Sequence, residues 1–295
     1  MRKDRESEAG FAPVREASGS AASGSAASAP ASRDAAQHLR ELDLEALLAD
    51  PNTKQSFVTP MFDVIAPRYD DFTRLFSFGM DARWKATLLR EAQRRLAAGA
   101  GNEPRVLDLA CGTGDLAFGV ARDARTTFPA VAVLGVDASP EMTKHAWARL
   151  EGPDRDVCDL VRIETGDMSA LSAADQSIDL ITAGYAVRNA PSPELAIREA
   201  ARVLRSGGVY ITLDFYRPAF APWRVALLSY LSAAGNLVGW TWHRSPVVYG
   251  YIARSIEHFM SWQDFSRALD RNGFDVQSVT RWLGGGVAMH VAVRR

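Results

Sequence analysis

Five short apolar runs punctuate the middle of the chain, at residues 106–109, 130–136, 160–164, 178–183 and 209–215. Each is apolar nearly throughout instead of alternating, which suits strands covered on both faces, as in parallel sheets. Between them the apolar positions take helical spacing over residues 116–124, 140–150 and 193–204. Ser139 ahead of Pro140, and Ser192 ahead of Pro193, read as helix caps with proline at the first helical position. Ser206-Gly207-Gly208 stops the third of these helices. A last helix is predicted over 261–272, then a closing antiparallel pair of strands, 274–282 and 287–294. Strands and helices in alternation predict an α/β fold: a doubly wound, mostly parallel, seven-stranded sheet binding ligands at the carboxyl ends of its strands. Asp115, Asp137, Asp167, Arg188 and Asp214 all fall at or just beyond such ends.

The flanks are patterned differently. Residues 1–33 are low in complexity and cannot bury enough apolar surface to offset their ordering entropy, so a disordered tail is expected. Leucines at 39, 42, 44, 47 and 48 predict an amphipathic helix over 34–49, stopped by Asp50-Pro51, with a linker to residue 54. The catalytic domain is expected over 55–295. Its first part, 55–100, carries lid helices, one of them over 84–98 with Trp84, Leu88, Leu89, Ala92 and Leu96 on one face. Residues 217–262 form a helical insertion after the fifth strand. Within it, 225–242 holds no charged residue, at the lower edge of membrane-spanning length. Ser229, Ser232, Gly235, Asn236 and Gly239 favour a helix packed over the site, lining a greasy channel or touching a membrane surface.

The chemistry is concentrated in Asp108-Leu109-Ala110-Cys111-Gly112-Thr113-Gly114-Asp115. Gly112 and Gly114 are expected to let a ligand approach the backbone, ahead of a helix amino terminus with unpaired N–H groups. A dinucleotide turn would read G-x-G-x-x-G and hold a pyrophosphate. Here Asp115 follows Gly114 directly and Ala117 takes the third glycine position. A carboxylate there repels phosphate and suits an ammonium or sulfonium. Asp137, at the tip of the second strand, stands where a ribose diol is held. Ribose, a positive amino-acid tail and no phosphate point to S-adenosyl-L-methionine. Asp167 in Gly166-Asp167-Met168 is placed to accept a hydrogen bond from an adenine amino group; alone, it reads as a solvated turn acid.

Charge and cysteine content narrow the picture. A net charge of −1 gives no electrostatic case for nucleic acid. Two cysteines, Cys111 and Cys158, are too few for a disulfide framework, and Cys111 reads as a small filler in the turn. No metal-ligand spacing occurs. The first residues carry both charge signs and lead into no apolar core, so neither a signal nor a transit peptide is expected; the expected location is cytoplasmic, peripheral to a membrane.

Over residues 57–293 the chain resembles the UbiE/COQ5 family of quinone-biosynthesis C-methyltransferases. The resemblance rests on Met61-Phe62-Asp63, Ala66-Pro67-Arg68-Tyr69-Asp70, Ser77-Phe78-Gly79 with Trp84-Lys85, the glycine turn, Val187-Arg188-Asn189, Arg202 through Gly208, Ala253-Arg254-Ser255-Ile256 and the closing Gly285 to His290. It implies a class I S-adenosylmethionine-dependent methyltransferase, Rossmann-like, acting on a lipidic quinol. It implies cofactor contacts from Asp108, Gly112, Thr113, Gly114, Asp137, Asp167, Met168 and Gly184, with Asp115, Arg188 and Tyr69 beside the reacting ring. Asp81 stands where the family usually has His, Gly184 where Ser is common, and Asp214 and Tyr216 replace the usual Glu and Ser.

Methyl transfer from a sulfonium needs alignment and water exclusion, not a metal. Arg188, always protonated, is expected to stabilise the developing quinolate, with Asp115 taking the proton directly or through water and Tyr69 closing the pocket. The competing reading of Arg188 is a structural ion pair. Two other functions stay open: a same-fold methyltransferase acting on a soluble aromatic or an oxygen atom, and a degenerate binding subunit docking through its 39–48 helix. An aliphatic pocket wall from 225–242 separates out the first; retention of Thr113, Asp137, Asp167 and Arg188 speaks against the second. Benzoquinol versus naphthoquinol, and monomer versus homodimer, stay undecided.

Overall fold

Strands that bury both faces must lie between helices, and all seven predicted strands fall in one sheet. The computed structural model describes residues 51–66, 69–238 and 247–295. Its strands are β1 (Arg105–Leu109), β2 (Ala132–Asp137), β3 (Val161–Thr165), β4 (Ile178–Gly184), β5 (Leu204–Phe215), β6 (Phe274–Trp282) and β7 (Val287–Arg294). They lie in the order β3-β2-β1-β4-β5-β7-β6. β1 to β5 pair in parallel, and β7 runs antiparallel to both β5 and β6. Strand order reverses between β1 and β4, which puts the crevice for a ligand at their carboxyl ends.

Three helices precede the sheet: α1 (Pro51–Ile65), α2 (Tyr69–Phe76) and α3 (Asp81–Gly99). The crossovers are α4 (Asp115–Arg125), α5 (Pro140–Glu151) and α6 (Pro193–Val203). Between β5 and β6 lie α7 (Ala221–Val238), α8 (Val247–His258) and α9 (Trp262–Arg271). The caps expected at Ser139 and Ser192 form, and Ser261 adds a third. Ser139 Oγ accepts from Met142 N at 3.1 Å, Ser192 Oγ from Leu195 N at 3.3 Å and Ser261 Oγ from Asp264 N at 3.2 Å. Each such cap is worth about 0.5–2 kcal/mol.

Three expectations change. The tail and the 34–49 helix lie outside the described residues, and Pro51 to Lys54, expected as a linker, belong to α1. Strand β5 starts at Leu204, not 209: Leu204 pairs with Ile178, and pairing resumes at Val209 after an excursion that Gly207 allows at φ 75°. Third, α3 is core, not lid. Trp84, Leu88, Ala92 and Leu96 are buried along it, and Trp84 packs on Phe215 and Trp282 at ring separations of 6.3 and 5.9 Å. Asp81 lies at the head of the same buried stripe. No helix of the described residues is long and apolar enough to cross a membrane.

If α3 belongs to the core, Leu88→Ala should cost about 2–5 kcal/mol of stability in denaturant unfolding. A loss well below 1 kcal/mol would make α3 a detachable lid after all.

Candidate active site

Asp108 holds the turn in shape. Its buried carboxylate accepts from Thr182 Oγ1 on β4 at 2.6 Å and from the Ala117 N–H in the first turn of α4 at 3.1 Å. Burial raises its pKa to about 7, the two hydrogen bonds offsetting only part of that. Between β1 and α4 the backbone turns left-handed at Ala110 (φ 51°), Gly112 (φ 54°) and Gly114 (φ 97°). The two glycines serve different ends. A Cβ on Gly112 would meet nothing within 4 Å, so that position opens onto the cleft. A Cβ on Gly114 would sit 2.2 Å from the Phe118 ring, so Gly114 is required by packing; the expected close approach of a ligand is not its reason. Cys111 fills the space above Gly135, and burial pushes its thiol pKa well up, in keeping with an inert filler.

Two cavities share Phe62, Tyr185 and Asn189 in their walls, and the turn borders the first of them. The larger, about 640 Å³ including its mouth, is walled by Gly112, Asp137, Asp167, Met168 and Gly184, with Val58, Thr59 and Phe62 of α1 across from them. Asp137 accepts from the N–H groups of Gly112 at 2.8 Å and Ser139 at 2.9 Å. Burial, the largest influence, raises its pKa. Asp167 is exposed, accepts from Ser169 N at 2.8 Å, and borders the cleft at the far end. Thr113 borders a smaller recess on the other side of the turn, together with Asp108, Asp115 and Lys85. An opening where Gly112 lacks a side chain, beside a strand-tip carboxylate, fits a nucleoside carrying no phosphate. Asp63 of α1, accepting from Ser139 Oγ, ties the outer wall to the strand end.

The second cavity, about 550 Å³, is mainly apolar: Met61, Phe62, Ile65, Phe76, Phe215 and Ile252. Arg188 stands in its wall, only 5% exposed. Its backbone N–H donates to Asp214 at 3.0 Å, its Nε lies 3.4 Å from the same carboxylate, and its Nη1 donates to Ser255 of α8. The ion pair weighed as an alternative is therefore present, and it also fixes the guanidinium at the cavity. Lys54 Nζ caps the Arg188 and Ala190 carbonyls at 2.9 and 2.7 Å; burial, then repulsion from Arg188, lowers its pKa to about 8.

Tyr185 borders both cavities and the Thr113 recess. It is held at φ 57°, a conformation that costs a non-glycine residue about 1–3 kcal/mol and that clusters at active sites. Its hydroxyl donates to Asp81 Oδ1 at 2.7 Å, while Asn189 Nδ2 donates to its carbonyl at 2.8 Å.

Asp115 is corrected. Its two oxygens pair with Lys85 at 3.0 Å and Arg149 at 2.6 Å. Burial would raise its pKa, but these cations outweigh it and hold the carboxyl below its usual range. Two neighbouring cations make a poor base, and Asp115 borders the recess, not the apolar cavity. The expected proton-accepting role does not survive that. Of the run expected to wall the cavity, 225–238 do not border it and 239–242 lie outside the described residues; Tyr251 and Ile252 of α8, within the same 217–262 insertion, supply a wall. Of Tyr69, the start of α2 is described and the side chain lies outside the described residues.

Sequence reasoning missed Tyr185, Asn189 as a separate contact, Tyr251, Lys54 and the Lys85–Asp115–Arg149 network. One signal was available: counting back three from Trp84 along the buried stripe lands on a carboxylate, Asp81.

The profile of the ubiE/COQ5 methyltransferase family matches residues 50–294. A demethylmenaquinone methyltransferase of Chlorobaculum parvum is 30% identical over 220 residues, covering 75% of this chain and 85% of the relative. A ubiquinone/menaquinone biosynthesis C-methyltransferase UbiE of Syntrophotalea carbinolica is 31% identical over 242 residues, covering 80% and 93%. Among solved structures, a SAM-dependent methyltransferase from Aquifex aeolicus superposes with a TM-score of 0.52 at 15% identity, covering 79% of this chain and 98% of that one, a likeness of fold.

Asp137→Ala should weaken S-adenosylmethionine binding about ten- to hundredfold by calorimetry, the loss expected on removing hydrogen bonds to a charged acceptor. Unchanged affinity would remove Asp137 from the cofactor site.

Proposed function

The chain belongs to the ubiE/COQ5 methyltransferase family, and on that footing we propose that it methylates a ring carbon of a prenylated quinol in menaquinone or ubiquinone biosynthesis. It is an S-adenosylmethionine-dependent methyltransferase. The observation that carries the substrate reading is the pairing of cavities: a cleft edged by the carboxylates Asp137 and Asp167 adjoins an apolar chamber with Arg188 in its wall, and Tyr185 borders both. A quinol ring with an apolar tail matches such a chamber; a soluble polar aromatic does not.

When bound, S-adenosylmethionine supplies a methyl group on a sulfonium, electrophilic without a metal. Asp137 would hold the ribose hydroxyls, Asp167 and Met168 the adenine end, and the Gly112–Thr113 backbone the amino-acid end. In the chamber, Met61, Ile65, Phe215 and Ile252 exclude water and fix the ring plane. Arg188, held by Asp214 and Ser255, offers a fixed positive charge to the oxygen that becomes a quinolate. Tyr69, at the head of α2, is retained as a residue closing the chamber.

A lipidic substrate has to be drawn from a bilayer, and α7 offers a surface for that. Phe220 ahead of it, Val225 and Leu237 are 68%, 63% and 64% exposed, and Phe78 stacks on Tyr230 at 4.3 Å beside them. Such a face suits a peripheral position on the cytoplasmic side of a membrane.

The experiment is single-turnover methylation of a reduced short-chain demethylmenaquinol or methoxy-polyprenyl-benzoquinol, with the new C–CH₃ bond located by mass spectrometry. Methylation of neither by the wild type would contradict the proposal. Arg188→Ala would strand Asp214 in the core, at a cost of about 3–5 kcal/mol, so Arg188→Lys is the better probe. It should fold and bind cofactor normally yet lose at least about tenfold in turnover, because an ammonium lacks the planar fork. Wild-type turnover would make Arg188 structural only.

A further inference from the structure

We propose that Tyr185 and Asp81 form the outlet for the substrate proton: Tyr185 is the catalytic group that takes it, and Asp81 the positioning carboxylate that passes it to solvent. The inference rests on the phenolic substrate class proposed above. Tyr185 borders both the cofactor cleft and the apolar chamber, the place where methyl donor and ring must meet. Its hydroxyl already donates to Asp81 Oδ1 at 2.7 Å, so a proton arriving on the phenol oxygen has a path onward. Asp81 in turn borders a surface groove shaped by Thr73, Arg74, Gly79, Lys85 and Leu89. Chamber, phenol, carboxylate and groove thus form a continuous route through the wall made by α2 and α3. The left-handed backbone at Tyr185 places the ring at that crossing, against the Phe215 ring at a separation of 5.6 Å.

The proton count requires an outlet. Methylation replaces a ring C–H by C–CH₃ while a sulfonium becomes a neutral thioether, so one proton leaves in each turnover. In the proposed step the quinol O–H bond breaks and its proton goes to the Tyr185 oxygen. The Tyr185 O–H proton passes to Asp81 Oδ1. The electron pair left on the quinol oxygen moves into the ring, toward the carbon that takes the methyl. The ring C–H proton then passes through water to the quinol oxygen, restoring the aromatic ring and the hydroxyl, which leaves the one proton on Asp81 to reach the groove.

The charges around this pair come from every neighbouring element. Lys85 pairs with Asp81 at 2.9 Å from the same helix, and with Asp115 of α4, which Arg149 of α5 backs. Arg74 of α2 borders the groove, Asp108 of β1 the recess and Arg188 the chamber.

The test uses Asp81→Asn and Tyr185→Phe, both close in shape to the native residue, with the two quinols named above and turnover measured from neutral to mildly alkaline pH. Each variant should lose about a hundredfold in turnover at neutral pH. The double variant should be no slower than either single, because both remove one route. In Asp81→Asn, turnover should climb about tenfold per pH unit where the wild type is level, as hydroxide replaces the carboxylate. Calorimetric affinity of Asp81→Asn for S-adenosylmethionine should match the wild type. Asp81→His, which keeps a proton acceptor in place, should recover part of the lost rate. Wild-type turnover in either single variant, an equal loss at every pH, or losses that multiply in the double variant would overturn the outlet alone. A wild type that methylates neither quinol would overturn the substrate reading, and the outlet with it.

Discussion

Asp108 carries two hydrogen bonds on which the geometry of the site depends. One reaches Thr182, the residue opposite it on β4, and fixes the side chains of β1 and β4 at the point where strand order reverses. The other reaches the Ala117 N–H and sets where α4 begins relative to the strand. With both ends of the turn held, the backbone between them takes left-handed conformations at three residues, and the Gly112 N–H comes within 2.8 Å of the Asp137 carboxylate on β2. A buried carboxyl is costly unless its oxygens are satisfied. Here that cost is offset where it fixes the ligand-binding turn.

From that fixed turn the two cavities follow. The end of β2, Gly184 of β4 and α1 wall the cleft; α1, α2, the end of β5 and α8 wall the chamber. The segment after β4 borders both, with left-handed Tyr185 shared between them and buried Arg188 in the chamber wall. Arg188 is held by Asp214 and Ser255, so it is rigid before substrate arrives, and a fixed charge needs no reorganisation when negative charge develops beside it. The opposite wall is held by contacts between helices and strand ends: Asp63 to Ser139, and Lys54 to the carbonyls after β4.

Local signals made much of this legible in the sequence. The strands, the serine caps and the strand-end positions of Asp137, Asp167 and Arg188 depend on neighbours within a few residues, and pattern alone places them. Asp115 shows the limit. Its position beside the turn was readable, yet its partners Lys85 and Arg149 stand 30 and 34 residues away in the chain, and their charges remove its basicity. Gly114 was assigned to ligand approach because two glycines in a turn look alike until the Phe118 ring beneath one of them is seen. The uncharged run at 225–242 attracted attention through composition, whereas the described chamber wall came from α8, whose pattern mixes charged and apolar residues. Asp81 was readable as a departure from the family and as a carboxylate on the buried stripe of α3, but its partner is a tyrosine 104 residues further on.

The central claim is that the cofactor cleft and the apolar chamber meet at Tyr185 and hold donor and quinol ring on opposite sides of it. The most direct measurement is a crystal structure of the protein with S-adenosylhomocysteine and a short-chain quinone. The account predicts ribose hydroxyls on Asp137, adenine beside Met168, and the quinone ring between Ile65 and Phe215 with one oxygen facing Arg188. A quinone ring bound elsewhere, or a thioether sulfur pointing away from the chamber, would contradict it.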